Sequence, residues 1–258
     1  MTDILQTVND HDRDYVKSLL EALGFQPDVI AEASHRTPDL SLPLSTGRAL
    51  IEVKSKDDDR QLRRVVDSAP GTTHAYTNSS IETVLRHGLH QIRDFPAKSH
   101  DDFSVIWLLA CKSGITALTR PAAMTLLYGV QNIDGFMANT HEFYEKECFF
   151  FGYSFFFRYK DLNAVVLQDF HYSTLCINPF SARYSVFAQT DFVRVFRERA
   201  SVIDPVEKES AGECFLADCD YSRKDVNSVV QYLKDKYGLD KVRITQFFLV
   251  NHPADDVG

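Results

Sequence analysis

Apolar residues recur in this chain with two periods, and the switches between them mark out its elements. Tyr15, Val16, Leu19, Leu20 and Leu23 fall three and four apart, the spacing of one helical face. They predict a first helix from about Asp10 or His11 to Leu23, stopped by Gly24 with Pro27 beyond it. Asp28 to Ala33 reads as a modest strand. Leu40, Leu42 and Leu44 then alternate with polar or small residues, the period of a strand. Ser45-Thr46-Gly47 supplies a turn, and Ala49 to Val53 is a second apolar run with Glu52 set into it. Together these predict a hairpin. Leu62, Val65 and Val66 follow with a short helix that ends near Pro70-Gly71. Ser79-x-x-Glu82 is a capping-box pattern, and Ile81, Val84, Leu85, Leu89 and Ile92 behind it form a clear amphipathic helix. Phe103 to Cys111 is the strongest buried strand in the chain and is expected at the centre of a sheet.

The second half alternates less cleanly. Arg120-Pro121 opens a helical stretch through Leu127, with proline near the first position. Cys148 to Tyr159 is dense in phenylalanine and tyrosine. It reads either as one or two buried strands bent at Gly152, since aromatic residues favour pleated sheets, or as an aromatic platform for bases. Leu162 to Leu167 and Ser173 to Ile177 are further strands, and Phe192 to Arg199 a helix. Asp204-Pro205 marks a loop and Glu207 to Glu213 a polar linker. The end reads as a strand at Cys214 to Ala217, a helix from Asp225 to Tyr237 closed by Gly238, and a strand from Val242 to Val250. This last β-α-β run either adds an edge to the main sheet or forms a small lobe. The alternation of elements implies a mixed α/β protein, with a core over residues 1–112 and an accessory α/β region over 113–258 for substrate recognition or dimerisation, which is either separate or part of the same compact domain.

Composition narrows the picture in three ways. The 258 residues, 44% hydrophobic and 25% charged, suffice for a full core without staples. A formal charge of -8 argues against a broad basic surface that coats nucleic acid, because non-specific affinity comes mostly from phosphate neutralisation; it leaves room for a local basic groove. The 5 cysteines are scattered with no zinc spacing, which implies thiols in a reducing cytoplasm. No apolar run is long enough to span a bilayer, so no membrane partner is expected.

The chemistry concentrates on the predicted hairpin. Glu52 and Lys54 are two apart in a strand and therefore point to the same face. With the turn centred near Thr46, antiparallel pairing brings Asp39 opposite about residue 53, within one position. An aspartate, a glutamate and a lysine thus meet at one end of the hairpin. Two carboxylates suit Mg²⁺, which takes hard oxygen ligands and keeps positions for water and phosphate, and the Val53 carbonyl is a further ligand candidate. A cation there lowers the pKa of a water and offsets phosphoryl charge, and a lysine beside it stabilises developing negative charge. The bland alternative is a solvated strand pair, worth about 0–1 kcal/mol.

Pro38-Asp39, a short spacer, then Glu52-Val53-Lys54 resembles the motif of the PD-(D/E)xK phosphodiesterase superfamily, which includes restriction, recombination and repair nucleases. The resemblance covers about the first 110 residues. It implies a restriction-endonuclease-like core, in which a central mixed sheet flanked by helices is built as a helix, three antiparallel strands, a helix and a further strand. It implies that Asp39 and Glu52 bind Mg²⁺, for which Mn²⁺ can substitute, and that Lys54 supports the water nucleophile. It further implies hydrolysis of phosphodiester bonds, in DNA before RNA, with 5′-phosphate and 3′-hydroxyl ends, and a homodimer where both strands are cut. In this superfamily an acid on the first helix sometimes joins the metal, which nominates Glu21 or Asp14, and a helix after the motif strand sometimes carries a glutamine, which nominates Gln91. Arg36, Lys56 and Arg60 are nearby cations suited to a nucleic-acid backbone. The competing class is a non-catalytic α/β interaction protein whose working surface lies in the second half.

Overall fold

A computed structural model describes residues 2–31, 36–56, 79–110, 123–169 and 172–245. The fold is mixed α/β, with a central seven-stranded sheet flanked by helices and a second sheet of four strands. The described elements fall into two compact units.

The first unit opens with α1 (Thr2–Ala22), β1 (Asp28–Val29), β2 (Leu40–Leu44) and β3 (Gly47–Ser55). It continues with α2 (Ser79–Arg93) and β4 (Asp102–Leu109). Among the described residues, a helix, three antiparallel strands, a helix and a strand therefore stand in that order. Helix α1 begins about two turns earlier than expected, and Ile4, Leu5 and Val8 carry the helical spacing into that extension. Its end is as expected: Gly24 takes φ +92°, a conformation that costs glycine little, and its N–H bonds back to Glu21. Of the strand expected over Asp28 to Ala33, Asp28–Val29 is a strand, and residues 32–33 lie outside the described residues.

Seven strands lie side by side in the order β1-β2-β3-β4-β7-β8-β9. Here β7 is Ala164–Gln168, β8 is Ser173–Ile177 and β9 is Ser201–Ile203. The sheet thus takes its last three strands from beyond residue 112. Strands β3, β4 and β7 run parallel at its centre. Parallel strands covered on both faces read as continuous apolar runs rather than alternating ones, which explains Ala49-Leu50-Ile51 and the fully buried β4. One face packs Ala49, Ile51, Val53, Val105 and Trp107 against Val16 and Leu20 of α1. Phe192 and Phe196 join the same cluster from α5 (Asp191–Arg199), the second of two helices that follow β8 after the short α4 (Tyr184–Phe187).

The second unit contains a π-helical turn at Met124–Tyr128, β5 (Gln131–Met137), β6 (Phe143–Phe149) and α3 (Phe155–Arg158), then α6 (Pro205–Ser210), β10 (Cys214–Leu216), α7 (Val226–Tyr237) and β11 (Leu239–Thr245). Its sheet order is β10-β6-β5-β11. The terminal β-α-β run joins this sheet, where Val229 and Leu233 of α7 pack on Ile133, Tyr144 and Phe215. The aromatic run is mostly buried, with Tyr153 exposed, and it contributes the end of one strand followed by a short helix. Strand β6 ends at Phe149, and Phe155–Arg158 is helical. Tyr128 meets Phe149, Phe150 and Phe156 edge-on at 5.3, 5.7 and 5.1 Å, geometry that favours aromatic pairs. The expected loop and linker at Pro205–Ser210 are instead helix α6, since a proline at the first helical position with acids behind it is a helix start.

Strand β5 has no apolar alternation to announce it, and Gly135 explains why it fits. A Cβ there would lie 1.7 Å from the Lys241 carbonyl oxygen and 2.7 Å from the Tyr144 hydroxyl, beside the irregularity in β11 between Leu239 and Lys241. Gly135→Ala is expected to cost about 2 kcal/mol, as β11 is an edge strand able to back away. Thermal unfolding of the variant, with hydrogen exchange at residues 239–245, checks this.

Candidate active site

Strand pairing delivers the three motif residues to one place. The hairpin turns at Ser45-Thr46, with Leu44 opposite Gly47 and Leu40 opposite Ile51, so Asp39 comes opposite Glu52, inside the expected margin. Backbone bonds hold Asp39: its N–H donates to the Ile51 carbonyl at 3.1 Å, and its own carbonyl accepts from Ile30 at 3.0 Å. Its carboxylate oxygen Oδ2 accepts the Val53 N–H at 2.7 Å. The aspartate is therefore fixed by the edge of the hairpin rather than by a flexible side-chain contact.

Glu52 lies in the middle of the parallel strands, opposite Ile106, and is 1% exposed. Its oxygen Oε2 is buried and accepts no hydrogen bond. Burial first, and the neighbouring Asp39 carboxylate second, push its pKa up to about 8, although Lys54 works the other way. Glu52 thus holds its proton at neutral pH when no cation is near. Lys54 shares the strand face: its Nζ donates to Glu52 Oε1 and, at 2.6 Å, to Gln91 Oε1 of α2. The glutamine on the helix after the motif strand is thus a direct partner of the motif lysine.

These groups line a pocket of about 310 Å³. Asp39, Glu52, Val53, Lys54, Arg36 and Gln91 all contribute to it. Arg36 is exposed and stands 3.8 Å from Asp94. Lys56 is not among the lining residues; its backbone N–H bonds Leu109 beyond the end of β3. Arg60 lies outside the described residues, as does the short helix expected around Leu62, Val65 and Val66.

The acid from the first helix is Asp12, with Asp10 beside it, rather than Glu21 or Asp14. Glu21 pairs with Lys17 at 2.5 Å and Asp14 lies 3.5 Å from Arg13 Nε, both away from the pocket lining. Asp12 is buried. The signal was in the sequence: Asp12, Val16 and Leu20 are four apart, so this acid sits on the stripe that faces the core. Arg13 also lines the pocket and pairs with Asp10 at 3.0 Å.

Among the described residues, no three His, Cys, Asp or Glu side chains stand close enough together to hold a metal by themselves. Mg²⁺ does not require three, since it commonly takes one or two carboxylates and retains water. A buried, unbonded carboxylate oxygen on Glu52, a second carboxylate beside it and the adjoining Val53 backbone fit such an ion. No family model, curated protein or solved structure matches the chain. Among the described residues no helix is long and apolar enough to cross a membrane.

Proposed function

We propose that this chain is a metal-dependent nuclease of the PD-(D/E)xK type that hydrolyses phosphodiester bonds, in DNA before RNA. The observation that carries the reading is the convergence of Asp39, Glu52 and Lys54 in one pocket, with Lys54 held between Glu52 and Gln91. The element order from α1 to β4 and the acid supplied by α1 support it.

Asp39 and Glu52, with the Val53 carbonyl, would hold Mg²⁺ or Mn²⁺. When bound, that ion supplies a more acidic water and offsets charge on the phosphoryl oxygens. With a cation bound, Glu52 would be held as the carboxylate, since a divalent charge beside it would outweigh the burial that raises its pKa. Asp39 stays in place through its bond to Val53 N–H. Lys54, an ammonium with three donors, keeps two on Glu52 and Gln91 and directs the remaining one into the pocket. There it orients the attacking water and stabilises negative charge as the phosphodiester bond breaks. Arg36, on the exposed rim, contacts the substrate backbone. A single such site cuts one strand, so double-strand cleavage calls for a homodimer. The buried thiols of Cys148 and Cys214 suit a reducing cytoplasm.

The test is incubation of the purified protein with supercoiled DNA, linear DNA and RNA in Mn²⁺ or Mg²⁺, with a chelator control. Metal-dependent cleavage of DNA, slower on RNA, is the expected result. A folded protein that cuts neither polymer with either ion contradicts the reading and favours a non-catalytic interaction protein.

A further inference from the structure

Glycine inside a helix is disfavoured, because it loses the most backbone freedom on folding and has no side chain to pack. Helix α2 nevertheless carries one near its middle, Gly88, and that residue is buried. A Cβ built on it would lie 3.3 Å from Cγ of Glu52, 3.5 Å from Cγ of Lys54 and 3.5 Å from Cδ1 of Ile106. Two of these three neighbours are the aliphatic stems of the carboxylate and the ammonium in the pocket. Three residues along the same helix, Gln91 takes its hydrogen bond from Lys54. Residues three apart share a helix face, so the point where the α2 backbone touches the strand adjoins the point where α2 grips the lysine.

We propose that Gly88 is a positioning residue for the site: its missing side chain lets α2 lie low enough on β3 for Gln91 to hold Lys54 without displacing Glu52. The proposal rests on the nuclease reading for its catalytic consequence, but its structural part stands alone. An added methyl at 3.3 Å is closer than the optimal carbon–carbon separation of about 3.5–4.0 Å. Either the Glu52 stem gives or the helix lifts, and both responses change the Lys54–Gln91 contact. Displacements well under an ångström in such a group matter, since a misplacement of about 1 Å can reduce a rate about 100-fold.

The experiment uses Gly88→Ala and Gly88→Val. The coupling between Lys54 and Gln91 is measured by a double-mutant cycle with Lys54→Met and Gln91→Leu, in the parent chain and in each Gly88 variant. Unfolding in denaturant is followed through Trp107, which is buried in β4. We expect coupling in the parent, at least a halving of it in Gly88→Ala, and none in Gly88→Val. Gly88→Ala should unfold at a denaturant midpoint close to the parent's, yet cleave with kcat about tenfold lower at unchanged KM. Equal coupling in all three chains overturns the proposal, whatever the protein cleaves. Coupling that falls as expected in a chain that cleaves nothing upholds the positioning role of Gly88 and rejects the nuclease reading instead.

Discussion

Lys54→Ala is expected to lower kcat for phosphodiester cleavage by about 10³-fold while Mn²⁺ still binds, a loss of roughly 4 kcal/mol of transition-state stabilisation. The lysine is not one of the groups that would hold the cation, yet it is the positive charge tied most tightly into the pocket. Glu52 and Gln91 fix its Nζ from two elements, β3 and α2, so its remaining donor direction is set before substrate arrives. Preorganised charge of this kind gains most where water is excluded. Lys54→Arg should recover little of the loss, because a planar guanidinium cannot reproduce an ammonium held between two oxygens. Steady-state kinetics on the three proteins measures the effect, and unchanged Trp107 fluorescence shows that the unit is intact.

Glu52→Gln is expected to stabilise the protein, with a gain that depends on pH. The folded state raises the Glu52 pKa to about 8 from an ordinary 4.5. Between those values the unfolded chain has released this proton and the folded chain has not, so stability falls as pH rises through the window. Glutamine has no proton to release, and the variant escapes that cost. Its advantage should be absent below about pH 4.5, grow with pH to about 3 kcal/mol at pH 7, and level off above about pH 8. Denaturant unfolding monitored at Trp107 from pH 4.5 to 8.5 tests the sign: a variant less stable than the parent at pH 7 would mean that Glu52 is held as a contented ion pair with Lys54. A functional carboxylate that costs stability is a common pattern at active sites.

The parts of this fold legible in the sequence are those governed by strong periodicity. The hairpin register followed from Leu40, Leu42 and Leu44 set against Ala49 to Val53, and that register alone joined Asp39 to Glu52. Helix α2 showed its apolar stripe, and with it the face that presents Gln91. Asp12 falls inside the helix that the pattern predicts, but the acids nominated there, Asp14 and Glu21, lie on its polar face, whereas Asp12 continues the buried stripe of Val16 and Leu20. Strand β5 was missed because its place depends on Gly135 fitting under Lys241, a tertiary contact with no local signature. The aromatic run shows a different limit: burial was predictable from composition, but the switch from β6 to the helix at Phe155–Arg158 was not. Gly88 has no role legible in the helix pattern alone, because its neighbours Glu52 and Lys54 come from another element.

The central claim is that Asp39 and Glu52 together hold a divalent cation. The most direct measurement is a calorimetric Mn²⁺ titration of the wild type and of Glu52→Gln, repeated between pH 7 and 8.5. Saturable binding by the wild type with release of a proton, weakening about tenfold for each pH unit below 8, and none by the variant, is the expected result. Equal binding by both proteins, or none by a folded wild type at pH 8.5, would contradict it.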